Sequence, residues 1–151
     1  MLRVTRLADY GIVMLTFFAT HPENTYTARD IANHVKLPLP VASKVLKLLS
    51  KAGLLSSQRG IKGGYALSRP SSEITVASII RAFEGPIAVT ECSDIKGFCG
   101  LETGCPVRTN WHMINRAIHS ALEKITLAQM TQPLHQSLIT LDLPGRPFSV
   151  Q

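Results

Sequence analysis

The sequence predicts a mainly α-helical protein with one small β-hairpin and one long helix towards its C-terminal end. Three observations predict this fold. Apolar residues recur at helical spacing in several segments, a glycine-rich stretch separates two short strand-like segments, and a regular apolar pattern runs from Val107 to Ile125. Of the 151 residues, 45% are hydrophobic and 17% are charged, which is typical of a globular protein and not of a disordered chain.

Three helices are predicted in the first part of the chain. The first spans about residues 3–20, where apolar residues form one stripe. Thr27 and Asp30 form a variant capping box that starts a second, short helix. Pro40 suits the first position of a third helix, and Gly53 is placed to cap its end. The third helix is expected to bury Val41, Val45, Leu48 and Leu49.

The second and third of these helices, joined by a tight turn, predict a helix-turn-helix unit. Polar and basic residues fall mostly on the exposed face of its second helix, which is what a helix entering the major groove of DNA requires. These residues are Ser43, Lys44, Lys47 and Lys51.

A β-hairpin is predicted directly after this unit. Residues 54–59 and 65–68 have the pattern of strands, and the glycine-rich, basic stretch 60–64 forms the tip between them. A helix-turn-helix unit followed by a hairpin is a winged helix. Its wing carries Arg59 and Lys62 where a minor groove or a phosphate of the DNA would lie.

The positive charge of the chain lies in its N-terminal half. Residues 1–70 hold ten Lys and Arg against three acidic residues, whereas residues 71–151 hold six against seven. This asymmetry is typical of a phosphate-binding surface joined to an assembly module. Double-stranded DNA is therefore the expected partner.

The second half predicts two further helices around a cysteine-bearing loop. Thr75 can cap a helix that reaches about Phe83, and residues 86–105 resemble a loop that holds all three cysteines. A long helix follows from Pro106 to about Ile125, and residues 126–130 add a short helical piece. An a/d-type apolar seam on the long helix favours self-association into a homodimer. The seam consists of Val107, Trp111, Ile114, Ile118, Ala121 and Ile125.

These residues resemble the iron–sulfur-responsive winged-helix transcription regulators of the IscR and NsrR type. The resemblance covers about residues 1–130 and is most specific in the wing, Gly53–Leu67, and in the triple-cysteine loop before the long helix. In amino-acid sequence the chain is most similar to the regulators of the SUF iron–sulfur assembly operon. The resemblance implies a homodimer with a crossing helix, a palindromic operator, and an iron–sulfur cluster, 2Fe–2S or 4Fe–4S, whose occupancy alters DNA affinity.

The cysteine loop supplies three of the four ligands that such a cluster needs. They are Cys92, Cys99 and Cys105, and thiolates suit both iron–sulfur clusters and zinc. In IscR-like members a histidine follows the third cysteine by three positions, but here that position is Arg108. NsrR-like members use an aspartate near the N-terminus, which Asp9 matches, and His112 is the alternative fourth ligand.

The resulting interpretation is a cytoplasmic DNA-binding regulator and not an enzyme. No signal-peptide core, membrane-spanning run, Cys-x-x-Cys pair or assignable Ser/His/Asp set occurs in the sequence. The expected function is repression, controlled by the cluster, of genes for iron–sulfur assembly. The alternative is a zinc-stabilised or apo DNA-binding protein without cluster sensing, in which Cys92, Cys99, Cys105 and His112 hold zinc.

The chain divides, on this interpretation, into four parts. Residues 1–84 form the winged-helix DNA-binding domain, and residues 85–105 form the cluster loop. Residues 106–132 form the dimerisation helix with its short extension. Residues 133–151 are expected to form a flexible tail.

Overall fold

The computed structural model describes residues 3–60, 63–90, 99–100 and 104–132. These ranges contain a mainly α-helical fold with one two-stranded hairpin, as the sequence predicts. Lys62, Cys92 and the predicted tail at 133–151 lie outside the described residues. The elements are α1 (Arg6–Thr20), α2 (Ala28–Val35), α3 (Leu39–Lys51), β1 (Leu55–Gln58), β2 (Gly64–Leu67), a 3₁₀ turn (Ser71–Glu73), α4 (Val76–Glu84), α5 (Arg108–Lys124) and α6 (Leu127–Met130).

Side-chain caps fix where the N-terminal helices begin. The Thr5 hydroxyl accepts a hydrogen bond from the Ala8 N–H, so α1 starts at Arg6, three residues later than predicted. Before α2, the Thr27 hydroxyl accepts from the Asp30 N–H, and the Asp30 carboxylate accepts from the Thr27 N–H. The predicted capping box is therefore confirmed, with aspartate in the place of the usual glutamate.

This capping box predicts a pH-dependent contribution to stability. The hydroxyl and backbone N–H of Thr27 donate to the Asp30 carboxylate and lower its pKa. Since the folded pKa is depressed, the contribution is fully present above the unfolded pKa of about 4 and is lost as the pH falls through the lower folded value. We expect the melting temperatures of wild type and Asp30→Asn to differ above about pH 5 and to converge in stronger acid. Glu23→Gln is the control, and a difference that stayed constant as the pH fell would contradict the prediction.

The turn between α2 and α3 is held by backbone hydrogen bonds. Lys36 adopts a left-handed conformation at φ 55°, and the Leu37 N–H reaches the Ala32 carbonyl at 3.0 Å. Helix α3 starts at Leu39, so Pro40 occupies its second position. The prediction that Pro40 occupies the first position is wrong by one residue. At its other end, Gly53 at φ 71° caps the helix as predicted, and the next N–H, of Leu54, donates to the Leu49 carbonyl.

The hydrophobic core lies where α1, α2 and α3 meet α4 and the start of the hairpin. In α3 the fully buried residues are Ala42, Val45, Leu46 and Leu49. The expectation that Val41 and Leu48 are buried is wrong in degree, because both are only half-buried. Helix α6 closes the core from the C-terminal side, and its Leu127 is fully buried.

The hairpin is attached to the segment that precedes α2. Strands β1 and β2 pair antiparallel, with Leu55 opposite Leu67 and Gln58 opposite Gly64. Tyr65 also exchanges two backbone hydrogen bonds with Tyr26, at 2.8 and 3.0 Å. A Cβ at Gly64 would lie only 2.6 Å from the Tyr26 carbonyl oxygen. Only glycine therefore allows the wing to approach this closely.

Gly64→Ala is expected to destabilise the protein by about 2 kcal/mol, the loss of two backbone hydrogen bonds. The methyl group would have to push the Tyr26 backbone away, and the pairing of Tyr26 with Tyr65 would be lost. Urea unfolding followed by circular dichroism measures the effect. Gly104→Ala is the matched control, since a Cβ there meets none of the described atoms beyond its chain neighbours within 4 Å. Equal stability of the two variants would contradict the proposed close approach.

The C-terminal helices follow from α4 as predicted, with shifted ends. The Thr75 hydroxyl accepts from the Ser78 N–H and caps α4. The long helix α5 starts at Arg108, two residues after the predicted Pro106, and none of its residues is fully buried. Within the described ranges, no helix is both long enough and apolar enough to cross a bilayer.

Candidate nucleic-acid interface and cysteine loop

The exposed face of α3 carries three lysines. Lys44, Lys47 and Lys51 are all exposed, whereas the buried residues of the helix point to the core on the other side. Their spacing of three and four residues keeps them on one face over about 10 Å of helix. The predicted exposure of the lysines is confirmed. Ser43, which was expected on the same face, is half-buried at its edge.

No acidic residue occurs from Ile31 to Ser72, a stretch that holds seven Lys and Arg. It includes the end of α2, all of α3 and the whole wing. Among the described residues, the carboxylate of Glu123 on α5 lies near Arg81 of α4 and His119 of α5, and neither Lys44 nor Lys47 is paired with a carboxylate. A surface with uncompensated positive charge of this extent attracts phosphates over a Debye length. The acid-free stretch concentrates the positive charge more sharply than the comparison of residues 1–70 with residues 71–151 indicates.

The wing places Arg59 directly after β1, where it is exposed to solvent. The neighbouring tip is held by a 2.9 Å hydrogen bond from the Gly63 N–H to the Gly60 carbonyl. Lys62, the other basic residue predicted on the wing, lies outside the described part of the chain. Of the two predicted wing cations, Arg59 is therefore the one that the described residues include, and it belongs to the same acid-free stretch of sequence as α3.

Two of the three predicted thiol ligands, Cys99 and Cys105, are described, and both are half-buried free thiols. The Cys105 carbonyl accepts from the Arg108 N–H, so this cysteine is tied to the first turn of α5. Asp9 lies exposed in the first turn of α1. Within the ranges described, no three of the candidate ligands lie together, and Cys92 lies outside those ranges.

The surroundings of His112 are basic. His112 is half-buried on α5 and, with Arg108, Thr109 and Arg116, lines an open cleft of about 340 Å³. Three thiolates with a carboxylate or an imidazole are donors that both an iron–sulfur cluster and zinc accept. Either group would be anionic once the thiolates bind it, so the two guanidinium groups favour both alike. The donor set therefore fits a cluster and fits zinc, and the metal content of the protein separates the two.

The apolar seam of α5 is not buried within the chain. Ile114 is 39% exposed and Val107, which caps the helix, is 46% exposed. Trp111, Ile118 and Ala121 are half-buried, and Ile125 follows the helix as its C-cap. An apolar line left open on a helix that is otherwise attached to its own domain is typical of an association surface.

A neighbouring face of α5 carries polar residues that the sequence reasoning missed. Asn115, His119 and Glu123 contact α4 and the segments that flank it. Their spacing of four residues was the available signal, since it predicts one helix face. The partners are 26 to 48 residues away in sequence, and local patterns do not identify such pairs.

The comparisons with known proteins agree with this architecture. The HTH-type transcriptional regulator IscR of Vibrio cholerae serotype O1 is 30% identical over 130 residues, which cover 85% of this chain and 75% of that protein. The solved structure of T. potens IscR is 32% identical, with a TM-score of 0.64 and coverage of 85% of each chain. The solved structure of CymR, the global cysteine regulator of B. subtilis, is 29% identical, with a TM-score of 0.66, covering 87% of this chain and 97% of that one.

The predicted resemblance is confirmed, and so is the expectation that the protein is not an enzyme, since these relatives are transcriptional regulators. The model of the Rrf2 family, described as iron-dependent transcriptional regulators, matches residues 4–133. This DNA-binding winged-helix chain therefore belongs to the Rrf2 family.

Proposed function

We propose that this protein is a cytoplasmic, homodimeric repressor whose operator affinity is controlled by an iron–sulfur cluster, and that it governs iron–sulfur assembly genes. The observation that carries its DNA binding is the exposed lysine face of α3 within a stretch of 42 residues that lacks acidic side chains. Ser43, Lys44 and Lys47 would contact the major groove and its phosphates, and Arg59 and Lys62 would contact the neighbouring groove.

The cluster would be held by Cys92, Cys99, Cys105 and a fourth ligand. We propose Asp9 for this ligand, supplied by the partner subunit, with His112 as the alternative. When bound, the cluster supplies iron–thiolate bonds that respond to oxygen and to iron supply. Because the Cys105 backbone is bonded to the first turn of α5, a change in the loop would act on the helix that carries the dimer seam.

Operator affinity then follows from the spacing of two recognition helices. In a dimer these helices must match half-sites about one helical turn apart. A coupling free energy of about 1–3 kcal/mol would change the affinity several-fold to more than 100-fold. Reconstituted and cluster-free protein should therefore bind one operator with different affinities. Equal affinities would contradict the switch.

Cys105→Ser is expected to remove the cluster. Anaerobically purified wild type should be coloured and contain iron and sulfide, whereas the variant should lack both and bind DNA like the cluster-free wild type. Asp9→Ala and His112→Ala, measured in parallel, identify the fourth ligand. Thr109→Ser is the control, because it changes a side chain beside Arg108 without removing a candidate ligand.

The second candidate function is DNA binding without cluster sensing, in a zinc-stabilised or apo protein. The similarity to CymR favours it, since that protein is described as a cysteine regulator. Colourless wild type that contains stoichiometric zinc, or no metal, after anaerobic purification would support this second function and contradict the first.

A further inference from the structure

The long helix α5 meets its own domain through a polar stripe, which consists of Asn115, His119 and Glu123. The Asn115 Oδ1 accepts from the Val89 N–H at 3.1 Å. One turn later, the Arg81 guanidinium donates from Nη2 to the His119 Nε2 at 2.9 Å. One further turn on, Glu123 binds the start of α4. The three residues lie at i, i+4 and i+8 and form a single face of the helix.

Glu123 connects both ends of α4 to the stripe. Its Oε2 accepts from the Thr75 hydroxyl at 2.9 Å, and its Oε1 lies 3.5 Å from Arg81 Nη2 and 3.7 Å from His119 Nε2. The same Thr75 hydroxyl accepts from the Ser78 N–H. One hydroxyl can donate once and accept twice, so it caps α4 and binds α5 at the same time.

A backbone pivot lies directly beyond Glu123. The Val76 N–H donates to the Ile125 carbonyl at 2.9 Å, and the Leu127 N–H donates to the Ile74 carbonyl at 2.7 Å. Ile74 and Leu127 are fully buried, so this pair of bonds is anchored in the core. The C-terminal end of α5 is thereby fixed at one point, while the helix extends about 25 Å away from it.

The polar stripe is placed to set the angle of α5 about this pivot. None of the residues of α5 is fully buried, and its apolar residues Trp111, Ile118 and Leu122 are only half-buried, so apolar packing leaves the polar contacts a share in fixing the angle. The side chains of Arg81 and Glu123 remain 52% and 39% exposed, and partly exposed pairs of this kind contribute modest free energies. Over 25 Å, a rotation of about 10° moves the far end of the helix by about 4 Å.

We propose that Glu123 is a positioning residue that sets the angle between the dimer helix α5 and the DNA-binding domain, and thereby the operator half-site spacing that the dimer accepts. The proposal rests on the proposed dimeric binding of DNA and not on the presence of a cluster. Glu123 itself need not contact the DNA. It acts by holding the start of α4 and the long helix together.

The test measures spacing preference. Operators are first selected from a random-sequence duplex pool with the wild-type protein, and the selected half-sites are then separated by one base pair more or less. Glu123→Gln keeps the size of the side chain and its bond from Thr75 but loses the charge that faces Arg81 and His119. The Glu123→Gln variant is expected to bind the operator with the preferred spacing about fivefold more weakly than the wild type. Its loss of affinity at the two altered spacings should be smaller, so the variant should discriminate less between spacings.

Two further variants separate positioning from general damage. Thr75→Ser retains both hydroxyl contacts and is expected to keep the wild-type spacing preference, whereas Glu73→Gln removes a carboxylate that lies outside the stripe. An equal loss of affinity by Glu123→Gln at every spacing, or no loss at all, would overturn the proposal. If the protein does not bind DNA as proposed, the wild type itself will select no operator. That outcome differs from a failure of the positioning role, in which the wild type selects an operator and Glu123→Gln shows the same spacing preference.

Discussion

Replacing Lys44 and Lys47 together by glutamine will lower operator affinity about 30-fold at 0.1 M salt and reduce the slope of log K against log salt by about two. Both lysines are exposed on α3, and neither is paired with a carboxylate among the described residues. Each lysine that neutralises a phosphate releases about one counterion, so its loss changes the salt slope as well as the affinity.

The slope distinguishes a direct contact from an indirect effect. Fluorescence anisotropy of a labelled operator at several salt concentrations measures affinity and slope together. The matched control is Arg116→Gln with Lys124→Gln, which removes the same charge from α5 and leaves the α3 face intact. If the two double variants lost affinity and slope equally, net charge and not the lysine face would govern binding.

Local features of this fold could be predicted from sequence because their causes are local. The capping box of Thr27 and Asp30 and the glycine cap at Gly53 each depend on residues within a few positions of one another. The hairpin was predictable for the same reason, since its glycines lie between two short strands. These elements carry the lysines of α3 and Arg59 of the wing, all of which are exposed.

The inward face of α3 was harder to predict. Apolar residues stand at 41, 42, 45, 46, 48 and 49, so two overlapping stripes fit the helical period. The choice depends on which stripe meets α1 and α2, and the structure buries the one with Ala42 and Leu46. Helical periodicity alone does not contain this tertiary information.

The polar junction between α4 and α5 was beyond sequence reasoning for a related reason. Thr75 was identified as a cap, but its second partner, Glu123, is 48 residues away. The angle of a helix on its neighbour depends on such distant pairs. The cluster ligands remain predictions for the same reason, since Asp9 and the cysteines would have to meet through association of two chains.

Ile114→Glu is expected to dissociate the dimer. Ile114 is 39% exposed in the single chain and stands at the centre of the apolar seam of α5, so in a homodimer it would be buried. Burying an unpaired carboxylate costs several kcal/mol, and symmetry places one in each protomer. The dissociation constant of the dimer should rise at least about 1000-fold, as measured by sedimentation equilibrium.

The neighbouring residue provides the control. Met113 is 57% exposed and lies off the seam, so Met113→Glu adds the same charge one position away and should leave the dimer intact. Ile114→Val should do so as well, since it keeps an apolar side chain at the seam. A dimer that tolerates Ile114→Glu would show that another surface holds the two chains together.

Loss of the dimer should also change how the protein binds DNA, although Ile114 is on α5 and far in sequence from the lysine face of α3. A monomer engages one half-site and neutralises about half as many phosphates, so the salt slope for the full operator should fall to about half of the wild-type slope. The affinity for an isolated half-site should stay the same in both proteins. A variant that lost half-site affinity too would be a damaged DNA-binding domain, and only the separation of these two quantities ties the seam of α5 to operator recognition.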